Sequence, residues 1–132
     1  MSKALTKIEI PNTTSRSGKV REIFDAGDKL LFVASDRISA FDCVMPNGIP
    51  DKGAVLNMIS KFWFERTGDV VKNHMLSVDV ADYPAPFNEY QDELKGRSML
   101  VKKTEVLPVE CIVRGYLIGS GWKEYQKTET IG

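Results

Sequence analysis

Lys19-Val20-Arg21-Glu22-Ile23-Phe24, then Asp25-Ala26-Gly27-Asp28, then Lys29-Leu30-Leu31-Phe32-Val33-Ala34-Ser35 is the stretch that sets the layout of the chain. Two runs rich in β-branched and aromatic residues flank a glycine-containing turn, the pattern of a β-hairpin. Before it, Thr13-Thr14-Ser15-Arg16-Ser17-Gly18 is a polar cluster of small residues and reads as a loop. After it, Ile38 to Met45 reads as a third strand, stopped by Pro46-Asn47-Gly48-Ile49-Pro50. The period then changes. Val55, Met58, Ile59, Phe62 and Trp63 recur at helical spacing, which predicts an amphipathic helix over 54–67 bounded by Pro50 and Gly68. Its aromatics, Phe62, Trp63 and Phe64, are expected to pack in the core.

Tyr83-Pro84-Ala85-Pro86 breaks the chain again. Residues 88–94 read as a short surface helix, 98–103 and 109–117 as strands, and Trp122 to Gln126 as the opening of a helix. Strands joined by short turns, with one helix between them, imply an α+β class: an antiparallel sheet with a packed helix. The alternating strand–helix rhythm of a doubly wound parallel sheet is missing.

The chain has 132 residues, 18 Lys+Arg against 18 Asp+Glu, one His and two Cys. By length alone it is one domain. At 42% hydrophobic and 27% charged it has an ordinary globular composition. Zero net charge argues against nucleic acid as a partner, which needs a basic surface. It leaves room for a local basic pocket that takes a small anion. No apolar run reaches the ~20 residues of a membrane helix, and the N-terminus lacks the apolar segment of a secretory signal. A soluble, cytoplasmic protein is expected. Two cysteines are too few for a disulfide framework, and the apolar surroundings of Cys43 and Cys111 predict buried, reduced thiols. His74, without a second His or a nearby Cys, reads as a surface or hydrogen-bonded residue rather than a metal ligand.

Three segments collect groups that could carry chemistry. In Ser17-Gly18-Lys19-Val20-Arg21 a glycine permits close approach of an anion, and Lys19 and Arg21 alternate onto one side of an extended segment. They form either a polyphosphate cradle or an ordinary turn with two solvated cations. Ser35-Asp36-Arg37-Ile38-Ser39-Ala40-Phe41-Asp42 gathers two carboxylates, a guanidinium and two hydroxyls at a strand end, where functional groups often sit. The alternative is a charged turn with an internal Asp–Arg pair. In Val109-Glu110-Cys111-Ile112-Val113-Arg114, Glu110 and Arg114 share a face among β-branched residues, which is costly unless they pair or meet a ligand. Gly119-Ser120-Gly121 before a helix could offer N–H groups and a hydroxyl to an anion. Lys102-Lys103 closes a strand, either inward toward a phosphate or as edge protection.

Taken in order, these segments with Pro50-Asp51-Lys52-Gly53-Ala54-Val55-Leu56 and Leu107-Pro108 resemble the SAICAR synthetase family, phosphoribosylaminoimidazole-succinocarboxamide synthases of purine biosynthesis. The likeness runs from about residue 15 to the last residue, and Trp122-Lys123-Glu124-Tyr125 is similar to the longer, monomer-like branch. It implies a two-lobed α+β fold related to ATP-grasp enzymes and to the kinase nucleotide lobe. It also implies an ATP-dependent ligase. ATP would phosphorylate the carboxylate of CAIR (carboxyaminoimidazole ribonucleotide). The amine of L-aspartate would then displace phosphate to give SAICAR, with Mg²⁺ bridging the ATP phosphates. Carried over by position, Gly18, Lys19 and Arg21 would lie over ATP, and Lys102 and Lys103 would flank the adenine. Asp36 and Ser39 would face the substrate. Arg114 and Ser120 would hold the ribonucleotide phosphate, with Glu110 in the same signature.

Two departures stand out. Ile118 replaces the Thr or Ala usual before Gly119-Ser120, and the family's Asp-x-Lys-x-Glu-x-Gly strand with its Mg²⁺-binding Asp has no match, so no metal ligand is expected within the chain. On this reading residues 1–105 form the nucleotide-binding lobe and 106–132 begin the second lobe. The chain is then roughly half of an enzyme, inactive alone and able to self-associate through uncovered surface. The alternatives are a nucleotide-binding fragment without catalysis and a kinase-like small lobe that acts as an interaction module.

Overall fold

The structure is a computed structural model and describes residues 3–109, 111, 113 and 115–130. The hairpin is present: β2 (Arg21–Ala26) and β3 (Lys29–Ala34) pair antiparallel from Arg21 opposite Ala34 to Ala26 opposite Lys29. Gly27 closes the turn at φ 79°, a left-handed value that glycine adopts without penalty. Its N–H donates to Asp25 Oδ1 at 2.9 Å.

The polar run before it is not wholly loop. Ser15–Ser17 forms β1, an edge strand on β2. All three of its residues are exposed, so no apolar alternation betrays it. On the other side β7 (Ser98–Lys102) pairs with β3, and β6 (Met75–Ser77) pairs with β7. The sheet is five-stranded and antiparallel in the order β1-β2-β3-β7-β6. The α+β arrangement read from the sequence is the one observed.

One face of this sheet carries the core. Phe24, Leu31, Val33 and Leu100 pack against Ile8 and Ile10 from the N-terminal segment and against Val80, Tyr83, Phe87 and Leu94. The last four come from two 3₁₀ turns, Val80–Asp82 with Tyr83 capping it and Phe87–Glu89, and from α2 (Gln91–Leu94). The predicted short surface helix is thus partly a core element, with Leu94 fully buried. Burying each such side chain is worth about 1.5–3 kcal/mol. The Tyr83 hydroxyl is within 2.9 Å of Ser98 Oγ, and burial pushes its phenol up to about 12.

α1 (Lys52–Arg66) crosses the opposite face, and here the sequence reading is corrected. Val55, Met58, Ile59, Phe62 and Trp63, expected in the core, each stand between 49% and 55% exposed. The buried helix residues are Gly53 and Asn57. Gly53 chooses this orientation. A Cβ placed there would lie 2.1 Å from the Ala34 carbonyl oxygen, so only glycine lets the helix start this close to β3. Asn57, one turn on, donates through Nδ2 to the Gly96 and Ser98 carbonyls at 3.1 and 3.0 Å. Putting 53 and 57 inward turns the apolar stripe outward, because helix neighbours stack at i and i+4.

Three further expectations change. Ile38 to Met45 is not one strand but a small separate hairpin, β4 (Ser39–Ala40) with β5 (Cys43–Val44). Its two loop residues, Phe41 and Asp42, have φ of 49° and 65°, which fits a two-residue turn with both centres left-handed. Standing off the main sheet, this hairpin exposes Cys43, and Cys111 is exposed too, so neither thiol is buried. Among the described residues from 109 to 117 there is no strand, because no edge of the sheet pairs with that segment. α3 (Gly119–Thr128) begins earlier than predicted and buries none of its residues. No helix among the described residues is long and apolar enough to cross a membrane.

α1, the N-terminal segment and the sheet meet at the Asp36 carboxylate, which has no exposed surface. Oδ1 accepts from the Gly53 N–H at 2.9 Å and from Arg97 Nη1 at 2.8 Å. Oδ2 accepts from the Leu5 N–H at 2.7 Å. Burial alone would raise the pKa of this acid. The Arg97 hydrogen bond, the two backbone amides and the Arg97 charge outweigh it and hold the acid below the usual carboxylate range.

Two outcomes follow from this packing. Gly53→Ala should destabilise by about 1–3 kcal/mol in urea unfolding, although alanine is the better helix former by about 1 kcal/mol. An unchanged or raised midpoint would contradict the contact. Asp36→Asn leaves Arg97 buried without its charge partner and should cost about 3–5 kcal/mol. Because the folded acid sits below its unfolded value near 3.9, its stabilisation is complete above that pH and is lost as pH falls through the folded value. The wild type should therefore lose stability below about pH 4 by an amount the Asn variant does not show. Parallel acid profiles would overturn this.

Candidate anion-binding turn and sheet face

Gly18 to Arg21 joins β1 to β2 as a tight turn, with the Gly18 N–H donating to the Arg21 carbonyl at 2.7 Å. Its four carbonyl oxygens are all engaged. The Val20 oxygen accepts from the Ser35 N–H at 3.0 Å and from Ser35 Oγ at 2.9 Å. Arg37 takes the other three: Nη2 donates to the Gly18 oxygen at 2.8 Å and to the Arg21 oxygen at 3.4 Å, and Nε to the Lys19 oxygen at 3.1 Å. Arg37 Nη1 also donates to the Thr6 carbonyl at 2.8 Å and to Glu22 Oε1 at 2.7 Å. Glu22 Oε1 in turn accepts from Ser17 Oγ at 3.0 Å. The rigid guanidinium fork fits this set of acceptors, which a lysine could not satisfy.

The consequence is electrostatic. The partial negative charges of the turn point at Ser35 and Arg37, leaving the exposed Lys19 and Arg21 to define its outer surface. Lys19 Nζ pairs with Asp42 Oδ1 at 2.6 Å across the β4–β5 turn, and both side chains are largely solvated. Such an exposed pair contributes little, so Lys19 can exchange it for another anion at small cost. Arg21 borders a cavity of about 170 Å³ between the sheet and α1, which Phe32, Asn57, Ser60 and His74 also line. His74 lies between aromatic rings, with centroids 6.0 Å from Phe32 and 5.2 Å from Phe64. Burial and then the Arg21 charge hold its pKa below the ordinary imidazole value. It reads from sequence as a surface or hydrogen-bonded side chain; here it is a cavity wall.

The other expected site residues are distributed more widely than a single cluster. Arg21 lies opposite Ala34, whereas Lys102 lies opposite Lys29. Five residues of β3 separate those positions, about 17 Å at 3.4 Å per residue. Lys103 Nζ is also at the far end, pairing with Asp25 Oδ2 at 2.7 Å and reaching the Gly27 carbonyl at 3.4 Å. That hydrogen bond, with the Gly27 N–H, holds Asp25 below the usual carboxylate range. The two pairs of cations lie toward opposite ends of the sheet, and Lys102 is on the face that carries Leu31 and Leu100, opposite to that of Arg21.

Asp36, expected to face a substrate, is wholly buried with both oxygens committed, so in this arrangement it positions other elements. Ser39 is exposed on β4, and Ser120 is exposed in the first turn of α3, where Gly119 has φ 62°. Glu110 and Arg114 lie outside the described residues. The internal Asp–Arg pair is not formed: Asp36 pairs with Arg97, Asp42 with Lys19 and Arg37 with Glu22. Among the described residues no group of three or more His, Cys, Asp or Glu side chains is placed to hold a metal ion.

Sequence reasoning missed Arg37 as the organiser of the turn, and Arg97 and Asn57 as the groups that seat Asp36 and α1. Arg37 had a signal, its place in a dense polar segment at a strand end. Arg97 and Asn57 had none, since their acceptors are brought together only by the tertiary fold.

The family model described as SAICAR synthetase matches residues 14–131. The phosphoribosylaminoimidazole-succinocarboxamide synthase of Geobacter sulfurreducens is 54% identical over 132 residues, which is 99% of this chain and 45% of that protein. The enzyme of the same name from Desulfosudis oleivorans is 59% identical over 116 residues, 88% of this chain and 40% of that protein. Among solved structures, the SAICAR-synthase of Saccharomyces cerevisiae complexed with SAICAR superposes with a TM-score of 0.87 at 43% identity, covering 97% of this chain and 46% of that chain. This chain thus spans less than half the length of the relatives it matches. The match over nearly every residue, together with the shared sheet and helix, shows that the chain belongs to the SAICAR synthetase family.

Proposed function

We propose that this chain supplies the nucleotide-binding part of an ATP-dependent ligase that condenses CAIR with L-aspartate to give SAICAR, ADP and phosphate. The observation that carries this reading is the Gly18–Arg21 turn, whose carbonyls are drawn inward by Ser35 and Arg37 while Lys19 and Arg21 face out. Phosphoryl transfer depends mainly on positioning and charge neutralisation, which is what such a turn provides. Lys19 and Arg21 would neutralise the phosphates, and Lys102 and Lys103 would flank the base toward the other end of the sheet.

ATP activates the substrate by giving up its γ-phosphoryl group to the CAIR carboxylate, with ADP leaving. The aspartate amine then attacks the acyl carbon, loses a proton, and displaces phosphate. Ser39, Glu110, Arg114 and Ser120 are assigned to the CAIR side, the arginine as a bidentate partner for its phosphate. Asp36 serves that side indirectly, by fixing α1 and the corner that carries Ser39. Mg²⁺, when bound with ATP, would supply charge neutralisation for the phosphates. The described residues form no group of three or more His, Cys, Asp or Glu side chains that could hold it. The nucleotide part ends near residue 105. The chain after β7 leaves the sheet, and Val106 and Leu107 are largely exposed. By itself the chain binds ligand without turnover, and the complete activity belongs to the longer polypeptide, in the cytoplasm.

Calorimetric titration of this chain with ATP and Mg²⁺ tests the nucleotide assignment. Saturable binding is expected, weakened about tenfold or more by Lys19→Ala or Arg21→Ala, each tenfold being 1.4 kcal/mol. Arg37→Lys, which keeps the charge but not the fork, should weaken binding comparably without touching the nucleotide. No saturable heat, or an Arg37→Lys variant that binds like wild type, would count against it. For the reaction, ADP release by the full-length Geobacter sulfurreducens relative should require both CAIR and aspartate. Release that ignores aspartate would sink the ligase reading.

A further inference from the structure

α1 presents to solvent a shallow groove of about 510 Å³ lined by Ala54, Val55, Met58, Ile59, Phe62 and Trp63. No charged side chain lines it. Phe62 and Trp63 stack edge-to-face across it, centroids 5.2 Å apart. A contiguous apolar patch of this kind marks an interaction surface. The exposure is not a failure of helix packing, because Gly53 and Asn57 already seat the opposite side of α1 on the sheet.

We infer that this groove is the docking site for the part of the polypeptide that longer family members carry after the segment matched here, and that the same part covers the chain following β7. Two observations favour this occupant. The solved yeast enzyme superposes on 97% of this chain with only 46% of its own, so more than half of a single-chain enzyme lies beyond the matched segment. The segment after β7 shows the same kind of uncovered apolar surface: Val106 is 86% exposed, Leu107 79%, Val109 68% and Tyr116 82%. The portion of chain that continues from that segment is tethered to it. A tethered occupant competes at millimolar effective concentration, far above that of a second copy in dilute solution. Its chemistry is set by the groove: an apolar helix face or strand without charge at its centre.

The test compares one substitution in two lengths of chain, without ligand, so its outcome is separate from that of nucleotide or CAIR binding. Met58→Gln with Phe62→Gln replaces two groove residues by polar helix formers. In the 132-residue chain the pair should shift Tm by no more than about 2 °C, as for surface positions. At the aligned positions of the full-length Geobacter sulfurreducens protein it should lower Tm by about 5–10 °C. Hydroxyl-radical footprinting of both wild-type proteins gives a second reading that does not depend on a variant folding. The peptide spanning α1 should be oxidised several-fold more slowly in the long protein. Equal small Tm shifts in the two lengths, or equal oxidation, would overturn the inference. A dimeric 132-residue chain that the substitution makes monomeric, with the long protein unaffected, would overturn it in favour of a second copy as the occupant.

Discussion

The Asp36 carboxylate is fully buried yet charged, and the rest of the structure is arranged around satisfying it. It gathers a donor from each of three regions distant in sequence: the Leu5 amide, the Gly53 amide and the Arg97 guanidinium. A buried charge is tolerable only when such partners are complete. The N-terminal segment, the start of α1 and the entry to β7 are therefore fixed relative to one another by one side chain. Asp36 is bracketed by Ser35 and Arg37, which hold the carbonyls of the Gly18–Arg21 turn. Three consecutive residues thus connect the helix, the core and the candidate anion site.

On the proposed reading, this arrangement lets a neutral chain serve anionic ligands. Net charge is zero, and the cations used elsewhere are neutralised locally: Arg37 by Glu22, Arg97 by Asp36, Lys103 by Asp25. What distinguishes the Gly18–Arg21 turn is orientation rather than excess charge. Its backbone oxygens are occupied from behind, and its outer side chains are Arg21 and a Lys19 held only by the solvated Asp42. Preorganised dipoles and cations of this kind avoid reorganisation when the ligand arrives. Arg37 acts on the turn through its carbonyl oxygens.

Much of the fold was legible in the sequence because its signals are local. The Asp25–Asp28 turn between two apolar runs specified the central hairpin, and the 3.6-residue period specified α1. Legibility ended where tertiary contacts decided. Periodicity shows that α1 has an apolar face but not what that face meets. The orientation was settled by Gly53, the one residue small enough to start the helix against the Ala34 carbonyl. The Cys43 thiol looked buried by its neighbours, yet the Phe41-Asp42 turn folds that run into an exposed hairpin. In the candidate site, Gly18 to Arg21 is a bent turn rather than the extended segment on which Lys19 and Arg21 were expected to alternate. Lys102 and Lys103 fall at the other end of the sheet, because strand register is invisible until the partner strand is known. The two donors that matter most to Asp36 and α1, Arg97 and Asn57, carry no local signal.

The exposed stripe of α1 and the uncovered segment after β7 leave apolar surface at two places on a sheet-based unit. The unit itself still rests on the Ser35–Asp36–Arg37 corner. Native-state hydrogen exchange of three amides tests that dependence most directly: Leu5 and Gly53, which donate to Asp36, and Ser35, which donates to Val20. If the corner holds the structure together, all three exchange only through global unfolding. Their opening free energies then coincide with one another and with the unfolding free energy. Exchange of Leu5 or Gly53 through local openings, several kcal/mol below the global value, would contradict the account.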